Sequence, residues 1–272
     1  MCATCGCSDA AVVRLFDDLG GHGHDHEHDD HEHGGHEHGG HEHGSHEHGN
    51  HGDERTVQLQ QKVLAKNDRL AEANRDWLRQ RNVLAINLMS SPGAGKSTLL
   101  ERTAAELAGR VAISVIEGDQ AAALDATRIQ AAGCRVVQIN TGVGCHLDAE
   151  MVAEGLRVLD PPGGSVVVIE NVGNLVCPAL FDLGEQARVV LASVTEGADK
   201  PVKYPHMFRQ ADLVLVTKTD LLPYVDFDTA RHAADVRSLR PGALLLPLSA
   251  TTGAGMQEWY DWLRRRVLAP PG

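Results

Sequence analysis

The sequence predicts an α/β fold: a mostly parallel sheet covered by helices on both faces, built around a phosphate loop and preceded by a disordered His-rich tail. Three observations predict it. Apolar strand-like runs at 83–89, 111–116, 135–139, 165–170, 188–194, 212–217 and 243–248 alternate with helix-like stretches, the last helix near 255–268. Val/Ile/Leu-rich runs in that alternation read as parallel strands buried on both sides. The first run leads directly into SSPGAGKST, a phosphate-loop pattern between a strand and a helix. Ahead of both, residues 22–51 hold 13 of the 16 histidines.

These features divide the chain into a cysteine-bearing segment (1–21), a His-rich tail (22–54), a helical arm (55–81) and one domain (82–272). The formal net charge is −12, but residues 22–54 carry ten acidic groups and no Lys or Arg. Without them the chain is nearly balanced, so its acidity says nothing about a basic partner, and a nucleic-acid role has no electrostatic support. No basic start and apolar stretch marks a signal peptide, and no run reaches the roughly 18 apolar residues of a membrane span. The expectation is a cytoplasmic protein with no membrane partner, in which thiols stay reduced.

In that setting MCATCGC, with Cys2, Cys5 and Cys7, reads as metal-binding in preference to a redox pair. A redox pair usually sits at a helix start on a βαβ fold, and these cysteines do not. The tail follows, with His22, His24, His26, His28, His31, His33, His36, His38, His41, His43, His46, His48 and His51. From His31 to Asn50 they form four copies of a five-residue repeat that matches neither helix nor strand. With no apolar residues to bury, the segment is expected to be disordered. Imidazoles interleaved with carboxylates suit Ni²⁺, Zn²⁺, Cu²⁺ or Co²⁺, held in number at moderate strength, as in a reservoir.

Residues 55–81 form an amphipathic helix whose stripe is Val63, Leu70 and Trp77, widened by Leu64 and Leu78. It is expected to pack on the domain or to serve a dimer contact.

In the phosphate loop, backbone amides around Gly93, Ala94, Gly95, Lys96, Ser97 and Thr98 are placed to cradle phosphates at a helix start. Lys96 is expected to reach the β- and γ-phosphates, and Ser97 to take one Mg²⁺ position. Ser90 replaces the usual first glycine. The strand at 212–217 ends in Thr217-Lys218-Thr219-Asp220, a TKxD quartet resembling the guanine-reading NKxD motif. Asp220 would accept the two donors that guanine offers and adenine lacks, and Lys218 would lie over the base. Thr217 in place of Asn weakens the expected bracing. Further on, Ser249-Ala250 ends a strand where GTPases place a second base loop. Together these motifs favour GTP.

VIEGDQ ends a strand with Glu117 and Asp119, of which Asp119 is the favoured Mg²⁺ or water-positioning group. VVVIENVGN places Glu170 and Gly173 where many GTPases have DxxG. No Gln follows Gly173 and no in-cis Arg is evident, so turnover is expected to be slow. TGVGCHLD sets Cys145 beside His146, and Cys177 lies just past the Glu170–Gly173 switch. Two thiolates and an imidazole suit Zn²⁺ or Ni²⁺, and adjacency of the first two favours a site shared between subunits. Cys134 reads as core packing.

Taken together, MCxxCGC, the His-rich tail, SSPGxGKST, EGDQ, TGxGCHLD, ENVGNLVCP, EGxDKPxKYPxMF and TKTDLLPY resemble the hydrogenase nickel-incorporation GTPase family, HypB, over nearly the whole chain. The resemblance implies a P-loop GTPase domain that dimerises with nucleotide and couples GTP hydrolysis to nickel delivery. The recipient would be the [NiFe]-hydrogenase large-subunit precursor, with a small zinc-containing accessory protein as partner. It also implies tight nickel binding at Cys2, Cys5 and Cys7, and Ni²⁺ or Zn²⁺ at Cys145, His146 and Cys177. Loss of Met1 would add an amine to three thiolates, a four-ligand set that Ni²⁺ accepts in a plane. The rivals are a urease-type nickel-delivery GTPase, whose metal motif is Cys-Pro-His, and a nickel store with a vestigial nucleotide domain.

Overall fold

The computed structural model describes residues 12–16, 51–119, 124–142 and 144–268. Cys2, Cys5, Cys7 and the tail histidines from His22 to His48 lie outside the described residues. The strands are β1 (Val12–Phe16), β2 (Leu84–Ser90), β3 (Ile113–Asp119), β4 (Arg135–Asn140), β5 (Val166–Glu170), β6 (Ala187–Ser193), β7 (Leu213–Thr217) and β8 (Leu244–Pro247). They form one sheet in the order β1-β4-β3-β5-β2-β6-β7-β8, parallel except for β1 against β4. The helices are α1 (His51–Gln80), α2 (Lys96–Leu107), α3 (Leu124–Ala131), α4 (Ala149–Leu159), α5 (Lys200–Lys203), α6 (Pro205–Arg209), α7 (Thr229–Leu239) and α8 (Met256–Leu268).

The parallel strands are mainly apolar because both faces are covered. Ile86, Leu88, Val168 and Val189 meet Leu99, Leu107, Ile129 and Trp259 from α2, α3 and α8 on one face. Ala85, Ile116, Ile139 and Ile169 meet Leu78, Val152 and Leu156 from α1 and α4 on the other. Cys134 is buried in the first of these cores, and burial pushes its thiol up to about 11.

Two features depart from the sequence expectation. The cysteine-bearing segment carries a strand, β1, which the five residues of VVRLF do not announce by length alone. Helix α1 starts at His51, so its first turn takes residues that the sequence assigns to the tail; no proline stands between them and the arm to stop the helix. Its seam is also displaced. Val63 is half exposed, and the buried line is Asn67, Ala71, Asn74 and Leu78. Asn67 donates to the Asp182 carbonyl (2.8 Å) and accepts from the Ala149 amide (2.9 Å). Asn74 donates to the carbonyls of Ala149 (2.8 Å) and Leu183 (3.1 Å). Gly184 approaches the Ala71 carbonyl so closely that a β-carbon there would stand 2.5 Å from it. The arm therefore packs on its own domain, fastened by the Asn67 and Asn74 amides at a close backbone contact and by Leu78 and Trp77 against the core.

His232 on α7 is buried, between the rings of Phe208 and Phe227. Its Nδ1 lies 3.0 Å from the Ala198 carbonyl, to which Nδ1–H donates. Burial lowers its pKa, opposed by the Ala198 bond and by Asp235. The native state keeps this imidazole neutral where the unfolded chain already binds a proton. Stability is therefore complete above the unfolded value near pH 6.5 and falls as pH drops below it, by up to about 1.4 kcal/mol per pH unit. His146, also lowered by burial, acts in the same sense. Replacing His232→Asn, which keeps a donor and cannot ionise, should make urea stability measurably flatter between pH 7 and 5.5; an unchanged slope would exclude His232 as a source.

Candidate functional site

The carboxyl ends of the parallel strands open onto a cleft of about 520 Å³. Gly93, Gly95, Lys96, Ser97, Thr98, Glu170, Gly173 and Lys218 line it, as do Glu117 and Arg128. Gly93 and Gly95 take φ of 72° and 99°, left-handed values that let the loop curl around the helix start. Ser90, at the place of the usual first glycine, is the last residue of β2 and needs no such freedom. Its hydroxyl instead receives the Lys96 ammonium at 3.0 Å.

The loop is braced from the base side. Thr217 Oγ1 donates to the Ala94 carbonyl at 2.8 Å, and Lys218 Nζ to the Gly93 carbonyl at 2.7 Å. Thr217 thus performs the bracing that its substitution for Asn puts in question. Asp220 and Ala250 are half-buried and Ser249 is buried, next to the cleft but not lining it. Their two loops meet where the Thr219 amide bonds the Leu248 carbonyl (3.3 Å). Ser249 Oγ caps the following turn at the Thr252 amide (3.1 Å), and Arg102 from α2 holds the carbonyls of Ala250 and Thr251 at 2.9 and 3.1 Å.

Ser97 Oγ donates to Glu170 Oε1 at 3.0 Å. Glu170 stands opposite Glu117 in the β3–β5 register, and both are buried. Two buried carboxylates beside a phosphate loop are the donor chemistry of a hard divalent cation. Asp119 ends β3, and its side chain lies outside those described. The sequence favours Asp119 over Glu117, yet the spacing along a strand gives no means of choosing between them; the cleft is lined by Glu117. Arg128 has no sequence signal at all, since it comes from a helix without a motif. Its guanidinium is paired with Glu101 on α2 (2.6 Å). Lys200 reaches Ser91 Oγ at 3.4 Å, whereas Lys203 is tied to Asp199 at 2.7 Å.

The second cluster is adjacent. Cys145, His146 and Cys177, all half-buried, bring one ligand atom each within 4.8 Å of one another in a single chain. The partner subunit expected from the adjacency of Cys145 and His146 is not needed to assemble the three. Cys145 Sγ lies 3.6 Å from His146 Nδ1, and the imidazole stacks on Phe181 with centroids 3.9 Å apart. Burial lowers the pKa of His146 against the pull of Asp148, which favours the neutral ring that a metal requires.

The two sites are joined by one segment. Asn171 Oδ1 accepts from the amide of Leu147, in the Cys145–His146 loop, at 3.1 Å and from its own Val172 amide at 3.0 Å. Asn174 Nδ2 donates to the Cys145 carbonyl at 3.4 Å. Gly173 lies against Pro92 of the phosphate loop, where a β-carbon would come within 2.9 Å of backbone.

Comparison with known proteins agrees with this layout. The family model "CobW/HypB/UreG, nucleotide-binding domain" matches residues 84–247. The hydrogenase maturation factor HypB of Rhizobium leguminosarum bv. viciae is 52% identical over 210 residues, which are 77% of this chain and 70% of that one. That of Escherichia coli (strain K12) is 50% identical over 215 residues, 79% of this chain and 74% of its own. The crystal structure of hydrogenase maturation factor HypB from Archaeoglobus fulgidus gives a TM-score of 0.70 at 41% identity, over 75% of this chain and 100% of that one. HypB from Helicobacter pylori in complex with nickel gives 0.70 at 34% identity, over 74% and 95%.

The Gly173 contact yields a direct test. Gly173→Ala forces its segment off Pro92, and overpacking of this kind costs about 1–3 kcal/mol. Urea unfolding should register that loss, together with weaker binding of a fluorescent guanine nucleotide. Undiminished stability and affinity would mean that the two loops do not depend on the contact.

Proposed function

Because the chain belongs to the CobW/HypB/UreG nucleotide-binding family, and within it to the hydrogenase maturation factors HypB, we propose that it is a nickel-delivery GTPase of [NiFe]-hydrogenase maturation. The observation that carries the reading is the segment 170–177. One end, Glu170, bonds the phosphate-loop Ser97; the other, Cys177, belongs to the thiol–imidazole cluster; Asn171 and Asn174 between them hold the Cys145–His146 loop. In this reading a change at one end is passed to the other through these contacts.

In this reading GTP occupies the cleft, with Lys96 and the amides of Gly93 to Thr98 on its phosphates and Asp220, Lys218, Ser249 and Ala250 around its base. Mg²⁺, held by Ser97 with Glu170, Glu117 or Asp119, would neutralise charge on the β- and γ-phosphates. Gly173 would face the γ-phosphate, and with no Gln after it to orient water, hydrolysis is slow. Ni²⁺ is the cargo. Cys145, His146 and Cys177 offer it, or Zn²⁺, a soft N/S set. Cys2, Cys5 and Cys7 form a tighter nickel site in segment 1–21, and the histidines of 22–54, His51 included, form a store. The partners are a second copy bound with nucleotide, a small zinc-containing accessory protein and the hydrogenase large-subunit precursor. No helix among the described residues is long and apolar enough to cross a membrane, and the proposed location is the cytoplasm.

The test uses GTP hydrolysis and nickel titration side by side. Lys96→Ala should lower hydrolysis at least about a hundredfold, an oxyanion-type loss, with nickel stoichiometry unchanged; full activity would sink the GTPase reading. Asn171→Ala leaves every proposed ligand in place. It should leave nickel binding within a few-fold but abolish the effect of nickel on hydrolysis rate, and an unchanged nickel effect would show that coupling runs elsewhere.

A further inference from the structure

The amino ends of β6 and β7 border a second cavity, of about 350 Å³, that belongs neither to the nucleotide cleft nor to the thiol cluster. Strand β6 has seven residues, so this cavity and the cleft lie at opposite strand ends, about 20 Å apart along the strand. Four guanidinia converge on it from four elements: Arg75 of α1, Arg188 of β6, Arg209 at the end of α6 and Arg240 just after α7. A positive charge suits the end of a helix. That accounts for the sign of Arg240, but not for the convergence of all four on one cavity.

The cavity's three carboxylates do not use up these donors. Each is already held by a backbone amide: Asp182 by Gly184 (2.9 Å), Glu185 by Leu183 (2.8 Å) and Asp212 by Arg188 (2.9 Å). Arg75 is committed to Asp182 and Glu72. The other three guanidinia are not so engaged. Arg188 bonds Glu185 through Nε at 2.6 Å, but its Nη2 stands 4.0 Å from Asp182, beyond hydrogen-bond reach. Arg240 Nη2 is 3.6 Å from Asp212, likewise too far. Arg209 is exposed and enters no ion pair among the described residues. Gln210, on the same wall, keeps a buried Oε1 with no hydrogen-bond partner. Guanidinium N–H groups in surplus around a cavity call for an anion rich in acceptors. Their planar forks match phosphate oxygens two at a time. Three forks outnumber the two oxygens of a carboxylate, whereas a phosphate monoester offers three.

We propose that this cavity is a binding site for a phosphoryl group, free phosphate or a small phosphate monoester, held by Arg188, Arg209 and Arg240. Arg75 and Asp182 form its fixed wall. Arg188 stays on Glu185 through Nε while its Nη groups serve the ligand. Because the site lies at the far strand end from the phosphate loop, a chain with nucleotide bound can hold this second phosphoryl ligand at the same time.

The test is calorimetric titration of the full-length, metal-free chain with inorganic phosphate and with glycerol 3-phosphate, in saturating GDP so that the phosphate loop is occupied. One ligand per chain should bind. Arg209→Gln with Arg240→Gln removes two charged contacts at exposed positions and should weaken binding at least about tenfold, the scale of lost charge-assisted hydrogen bonds. Both variant positions lie at the far strand end, so a loss there reports this cavity and not the phosphate loop. Asp212→Asn keeps an acceptor for the Arg188 amide but removes the charge that faces Arg240. It should tighten binding severalfold, a gain that a poorly folded variant cannot produce. Tighter binding of glycerol 3-phosphate would assign the remaining volume to a group attached to the phosphoryl; tighter binding of inorganic phosphate would assign the free ion. No binding to the natural chain, or binding unaltered in both variants, would overturn the proposal, as would acetate competing as well as phosphate.

Discussion

The site depends most on a single buried amide. Asn171 has both sides of its side chain committed: Oδ1 accepts from the backbone at Leu147 and Val172, and Nδ2 donates to Asn87 Oδ1 at 3.3 Å. Asn87, fully buried in β2, passes the chain on to Glu185 at 3.3 Å. Glu185 in turn accepts from the Leu183 amide (2.8 Å) and from Arg188 (2.6 Å). A row of buried polar groups thus runs from the Cys145–His146 loop under the sheet to the turn on which α1 rests. Leaving one such group without its partner costs about 1–3 kcal/mol, so the row tolerates no casual rearrangement. It ties the Cys145–His146 loop to the strand end that also carries Glu170.

The same reliance on polar contacts explains the arm. Helix α1 has an apolar stripe whose end, Trp77 and Leu78, packs on the core, while Asn67 and Asn74 make the contact where Gly184 brings backbone against backbone. Arg75 adds a paired contact to both oxygens of Asp182, at 2.8 and 2.7 Å. Burial pushes that carboxyl up, but the Gly184 amide and the guanidinia of Arg75 and Arg188 together hold it below its usual range. The 182–185 turn is therefore shared: it anchors α1 from outside and ends the buried polar row from inside.

Much of this is legible in the residues. Each parallel strand lies within a few residues of its apolar run, and GAGKST sits at the strand–helix junction as its spacing requires, because local patterns determine both. The cluster of Cys145, His146 and Cys177 is visible as three ligands, two thiols and an imidazole, in two nearby loops. That one chain suffices to assemble it is not, since a turn through Thr141 and Gly144 has no sequence signature of reach. Strand β1 escapes notice because five residues of alternation are too few to distinguish an edge strand from a tail; its partner across the sheet lies more than a hundred residues away. Periodicity finds Trp77 and Leu78 of the α1 seam but not Asn67 and Asn74, because it reports apolar side chains and part of the contact is made by amides. Thr217 illustrates the opposite error: a departure from the usual motif that reads as a loss supplies the brace by another atom.

The proposed mechanism would be governed by linkage. If nucleotide in the cleft moves Gly173 against Pro92, the displacement enters a segment whose Asn171 cannot move without disturbing Leu147, and whose Asn174 holds the Cys145 carbonyl. The separation between Cys145 and Cys177 is then the coordinate through which the two sites communicate, because those thiols lie on the two loops that Asn171 and Asn174 join. Such coupling is reciprocal: whatever factor nucleotide applies to cargo affinity, cargo must apply to nucleotide affinity. On the proposed reading, nucleotide and cargo sites linked through this segment need a coupling of about 1–3 kcal/mol, the usual size for linked sites. A short segment with a handful of buried hydrogen bonds, sensitive at both ends, is of that scale.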